Sequence, residues 1–193
     1  GIHFTMINTE TDFPGAAEEN HGDSGPTWPA GHFAPKMVYL KWLEQDLAKG
    51  SELKKTGKRY WHVVVGHRPS FDLPQIFTDL FRKYGVDLYM SGHLHEYARF
   101  IPPSKNDTTD IIVGSAGCDE MKYVTDTKGN IKAVPKHKKS QQQSHHERLV
   151  YLPEKVSKAV SFGLLHYINV SCLHWQLIDS VSGKILDDIF LTK

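Results

Sequence analysis

Two stretches decide the fold: Trp61-His-Val-Val-Val-Gly-His-Arg-Pro69 and Val86-Asp-Leu-Tyr-Met-Ser-Gly-His-Leu-His95. Trp61 to Val65 is a β-branched run suited to a strand buried on both faces, and Gly66-His67-Arg68-Pro69 ends it. Pro74 suits the first turn of a helix whose apolar face is Ile76, Phe77, Leu80, Phe81 and Tyr84, and Gly85 closes that helix. Val86 to Met90 is a second strand. A strand, a helix and a strand in this order predict a parallel pair joined by a right-handed crossover. Parallel strands end on the same edge of their sheet. His67 leaves the first strand there, and His93 and His95 leave the second. Open α/β sheets bind their ligands at that edge.

Outward from this unit, Gly1 to Asn8 reads as a half-buried strand with no leader or cap before it, which marks the chain as a fragment or a processed product. Residues 14 to 35, rich in Gly, Pro, Asp and Asn, read as a long surface loop bordering a site. A helix is expected from Ala34 to Lys49, with Met37, Leu40, Leu43 and Leu47 on one face and Gly50 as its stop. Ile111 to Val113 is a short strand closed by Gly114-Ser-Ala-Gly117. Residues 125 to 148 are polar and read as a surface excursion. Three strands, 163 to 170, 172 to 179 and 184 to 192, form an antiparallel meander that turns at Ser182-Gly183. No repeat and no second domain is visible.

Composition narrows the function. Of 193 residues, 39% are apolar and 23% charged, as in an ordinary globular domain. The formal net charge of +1, from 23 basic and 22 acidic residues, gives no basis for binding nucleic acid or a membrane surface. No apolar run approaches the ~18 residues of a membrane span. Cys118 and Cys172 have three open fates: one disulfide, pairing with a segment outside the chain, or free thiols. With the sequons at Asn106 and Asn169, they point to a secreted or vacuolar protein.

The three histidines carry the chemistry. Imidazole suits zinc, iron and other first-row ions. A lone histidine is more often a surface or core residue than a ligand, and with 12 histidines a His-x-His arises easily. Two such motifs on adjacent parallel strand ends are a stronger signal.

The segments WHVVVGHRP (61–69) and SGHLHEYAR (91–99) resemble the last two metal motifs of the purple acid phosphatases, a family of calcineurin-like metallophosphoesterases. The resemblance extends to Val38–Leu47, Val113–Cys118, Asp179–Lys184 and Thr9–Phe13. Tyr97 and Arg99 bring it nearest to the plant and fungal type. It implies the C-terminal part of a four-layer α/β/β/α sandwich. It also implies a dinuclear centre of Fe(III) with Zn, Fe or Mn(II), with His67 and His93 on the divalent ion and His95 on the ferric ion. The implied reaction is hydrolysis of a small phosphate monoester. The family's earlier motifs, which supply two aspartates, a tyrosinate and an asparagine, are absent. The N-terminal half of the enzyme is therefore an expected partner, on this chain's parent or on a separate chain. A catalytically incomplete fragment and a superfamily phosphodiesterase are the alternatives. Where plant-type enzymes carry phosphate-binding histidines, Ser70 to Pro74 has none, so His21 and His32 become candidates to protonate the leaving group, and Arg68 a candidate for phosphate. Glu96 is a candidate to orient a ligand histidine.

Overall fold

The computed structural model describes residues 1–9, 38–56, 60–102, 107–116 and 159–193, together with the backbone of residues 124–125, 131–132 and 149–150. His21, His32, Asn106, Cys118, the 14–35 loop and most of the polar 125–148 stretch lie outside the described residues.

The elements run β1 (Ile2–Met6), α1 (Val38–Lys55), β2 (Trp61–Val65), α2 (Gln75–Tyr84), β3 (Leu88–Ser91), β4 (Tyr97–Phe100), β5 (Thr109–Val113), β6 (Val124–Thr125), β7 (Ile131–Lys132), β8 (Leu149–Val150), β9 (Ser161–Asn169), β10 (Cys172–Asp179) and β11 (Ile185–Thr192). A six-stranded sheet has the order β1-β2-β3-β5-β4-β8. Its first four strands are parallel, and β4 runs antiparallel to β5 and β8. A separate antiparallel sheet has the order β11-β10-β9.

Alternation along β2 and β3 sets the layering. Val64 and Tyr89 face a core with Leu40, Leu43 and Leu47 of α1 and Phe77, Leu80 and Phe81 of α2. Trp61, Val63 and Leu88 face the opposite way and pack on Leu173, Trp175, Leu177 and Leu191 of the meander. Both faces of β2 and β3 are covered, which is why Trp61, Val63, Val64, Leu88 and Tyr89 are all buried. Helices, parallel-rich sheet and second sheet follow one another as three layers. The outer face of the second sheet exposes Phe162, Leu164, Ile168 and Phe190.

Two details depart from expectation. Helix α1 does not stop at Gly50 but runs five residues further, to Lys55. The glycine is there for packing: a Cβ at position 50 would come within 2.6 Å of the His62 ring, which fills the space beneath the helix. Strand β4 was not foreseen, because Tyr97-Ala-Arg-Phe100 is short and carries a charge. It forms because Arg99 finds a buried carboxylate, Asp187, on β11.

His62 is wholly buried, and neither ring nitrogen has a hydrogen-bond partner. His3 of β1 meets it edge-on at 5.1 Å, with Asp46 and Lys54 of α1, Asp87 and Lys193 forming the charged surroundings. Burial, then His3 and Lys54, push its pKa down to about 4, against the pull of Asp87 and Asp46. The folded pKa lies below the unfolded value of about 6.5, so the unfolded chain binds the extra proton. Stability is therefore complete above about pH 6.5 and is lost as pH falls toward 4, by about 3 kcal/mol over the window. Urea titrations across pH 4 to 7 should show this slope in the native chain and lose most of it in His62→Leu. An unchanged slope in the variant would exonerate His62.

Candidate metal centre

The Gly66–Pro69 loop and the Gly92–Glu96 turn lie side by side at the carboxyl edge of the sheet, because β2 and β3 are paired in parallel with Val65 opposite Met90. The Gly66 N–H donates to the Met90 carbonyl (3.0 Å), and the Gly92 N–H donates to the His67 carbonyl (3.0 Å), so the ladder continues past the strands. Turn 92–96 is tightly wound. Leu94 N–H donates to Gly92 O and Glu96 N–H to Leu94 O, each at 2.7 Å. His93 has φ of 63°, the left-handed region that histidine visits more often than most side chains.

This geometry brings two of the three expected histidines together. His93 Nδ1 lies 3.2 Å from His67 Nε2, with the rings at 71° and their centroids 5.0 Å apart. His95 is exposed at the far end of the same turn. Arg68 Nη1 is 3.4 Å from His93 Nε2. A guanidinium only donates, so Nε2 is the acceptor and the His93 proton sits on Nδ1, toward His67. Asp72, in the short turn Ser70–Asp72, completes the surroundings. Partial burial pushes its carboxyl up, opposed by its neighbours His93 and Arg68.

The two glycines before the motif histidines serve different ends. A Cβ at Gly66 would come within 2.5 Å of the Tyr89 hydroxyl and 2.9 Å of Thr9, so the residue permits close approach of the chain to its neighbours. At Gly92 a Cβ would meet nothing within 4 Å, and the unusual backbone angle falls on His93 itself.

Does this arrangement fit an ion? Two imidazole nitrogens on one tetrahedral zinc, each about 2.0–2.1 Å from it, are about 3.3 Å apart. The 3.2 Å observed between His67 and His93 is close to that separation. The pair therefore fits as two ligands of one ion, once the proton leaves His93 Nδ1. Among the described residues, no group of three or more His, Cys, Asp or Glu side chains is placed to hold a metal. The remaining ligands of any complete centre must come from elsewhere.

Comparison with known proteins places this edge in context. The family model described as calcineurin-like phosphoesterase matches residues 16–97, which end just beyond the His93–His95 turn. Acid phosphatase A of Cryphonectria parasitica is 30% identical over 206 residues, covering all of this chain and 37% of that protein. The acid phosphatase of Aspergillus ficuum is 28% identical over 99% of this chain and 36% of its own length. The purple acid phosphatase PPD1 of yellow lupin seeds has the same fold over 99% of this chain and 31% of its own, with a TM-score of 0.60 and 16% identity. The chain is similar to the calcineurin-like phosphoesterases over residues 16–97 and to acid phosphatases along its length, with a purple acid phosphatase fold. It spans a little over a third of the length of the fungal relatives it matches. The mixed α/β architecture and parallel-rich sheet agree with that family's fold.

Sequence reasoning missed the residues that hold the site: Thr9, Tyr89 and Gly114. Tyr89 reads as one more apolar residue of a strand. Its importance comes from the β2–β3 register, which puts its hydroxyl under the loop of the neighbouring strand.

Proposed function

We propose that residues 1–193 are the C-terminal portion of a single metallophosphoesterase catalytic domain that hydrolyses phosphate monoesters at a dinuclear metal centre. His67 and His93 would hold the divalent ion (Zn, Fe or Mn) and His95 the Fe(III). The contact between His67 and His93 at the sheet's ligand-binding edge carries the reading, and similarity to acid phosphatases along the whole chain supports it. The ions, held in part by His67, His93 and His95, would supply Lewis-acid stabilisation of phosphate charge and activation of water.

The chain's own residues do the rest. Neutral imidazoles leave the site's positive charge intact for an anionic ester. Arg68, freed from His93 Nε2, presents donors to phosphate oxygens. The missing ligands come from the N-terminal half of the same enzyme, on the parent chain or a separate one. The short span relative to the curated relatives supports that partner, as does the apolar outer face of the second sheet.

The test is hydrolysis of p-nitrophenyl phosphate and bis(p-nitrophenyl) phosphate by the assembly with its N-terminal half, with metal content measured in parallel. We expect the monoester to be preferred, and His67→Ala and His93→Ala each to lower kcat/KM by more than about 100-fold, with loss of metal. Preference for the diester would favour a phosphodiesterase. A second reading, a catalytically incomplete polypeptide, is favoured by the lack of a three-ligand group among the described residues. An assembly with neither metal nor turnover would establish it.

A secreted or vacuolar location is part of the proposal. Asn169 is exposed at the end of β9, its Oδ1 accepting from the Ser171 N–H within the sequon (2.8 Å). Endoglycosidase treatment of the native protein should shift its mass, and Asn169→Gln should reduce the shift.

A further inference from the structure

Four hydrogen bonds fix the backbone of the loop that presents His67. Gly66 N–H and the His67 carbonyl are bound by Met90 and Gly92, each at 3.0 Å. Arg68 N–H donates to Thr9 Oγ1 at 3.1 Å, and the Tyr89 hydroxyl donates to the Arg68 carbonyl at 2.6 Å. The first two continue the β-ladder. The last two come from side chains reaching in from other elements.

Tyr89 is wholly buried in the helix-side core, its ring 5.3 Å from that of Phe81. Nothing in that core asks for a hydroxyl: phenylalanine would fill the same space without the cost of desolvating a polar group. The hydroxyl meets the loop at one place, under Gly66 and against the Arg68 carbonyl. Thr9 is also buried, and binds the N–H of the same residue, so the peptides on both sides of Arg68 are held. His67 immediately precedes Arg68, and its imidazole is itself exposed, so the backbone held at Arg68 bears directly on where it points.

We propose that Tyr89, together with Thr9, is a positioning residue that holds the Gly66–Arg68 loop so that His67 Nε2 faces His93 Nδ1. The functional consequence rests on reading those two imidazoles as metal ligands. Outer groups that orient ligands typically change metal affinity by about 10- to 100-fold.

The experiment uses the 193-residue chain with two readouts: Co(II) affinity by titration, and the ring-proton NOE between His67 and His93 in the metal-free protein. Tyr89→Phe is expected to weaken Co(II) binding about 10- to 100-fold and to abolish the NOE. Thr9→Val should act in the same direction, and serves as the test if Tyr89→Phe fails to fold. Tyr97→Phe is the control. It removes an equally buried phenol, bonded to Asp187 on another strand, and should lower the melting temperature while leaving both readouts unchanged. Tyr89→Phe and Thr9→Val that lower only the melting temperature, with NOE and affinity kept, would overturn the proposal. A native chain that shows the NOE but binds no Co(II), with the NOE lost in Tyr89→Phe, leaves the clamp standing and removes the ligand reading.

Discussion

Asp187→Ala is expected to destabilise the chain by about 3–5 kcal/mol, the range for breaking a buried ion pair by removing one partner. Asp187 lies on β11 and is almost fully buried. Its Oδ2 accepts from Arg99 Nε and from the Tyr97 hydroxyl, both at 2.7 Å, and its Oδ1 accepts from Arg99 Nη2 at 3.1 Å. The Tyr97 hydroxyl in turn accepts from the Trp175 indole N–H at 2.9 Å. One carboxylate thus joins β4 of the large sheet to β10 and β11 of the small one. Alanine would leave the Arg99 guanidinium desolvated and without this partner, which is where most of the cost arises. Replacing both Asp187 and Arg99 by leucine should recover much of the loss, since the pair's attraction roughly offsets its desolvation. Urea unfolding of the three variants decides the matter. A cost below about 1 kcal/mol for Asp187→Ala would place the pair in the class of solvent-screened bridges.

Gly114→Ala should cost about 3 kcal/mol or more and remove the site with it. A Cβ at this position would lie 1.6 Å from the Leu94 carbonyl oxygen and 2.6 Å from its carbon. These are backbone atoms, so no rotamer change relieves the clash, and the 92–96 turn must move as a whole. That turn carries His93 and His95, and Gly114 N–H also holds it through the Glu96 carbonyl at 3.0 Å. Gly92→Ala is the matched comparison. It puts a methyl group in open space two residues from the same carbonyl, and should change stability by no more than about 0.5 kcal/mol. If both alanines behave alike, the close approach at Gly114 is not what holds the turn.

The parallel unit was legible because three independent signals agreed: the β-branched run at 61–65, the 3.6-residue period of α2, and the glycine after it, which adopts φ of 64°. The meander was equally plain from alternation, within two residues at each strand end. Gly50 misled because a stop signal and a packing notch share one letter; only the position of His62 separates them. Strand β4 was hidden because its charged residue finds its partner 88 positions away. For the site, the approach of His67 to His93 follows from strand order, which a sequence can suggest. The supports under it, Tyr89 and Gly114, depend on register between strands, and a one-residue slip would move either to the other face.

The left-handed backbone at His93 has a consequence for engineering. Holding a non-glycine residue there costs on the order of 1 kcal/mol, and glycine would relieve it. A directed-evolution campaign scored on heat resistance alone would therefore be drawn to position 93, and each step toward glycine would yield a hardier protein with one of its two facing imidazoles removed. Thermostabilised libraries of this chain should be screened with position 93 held as histidine.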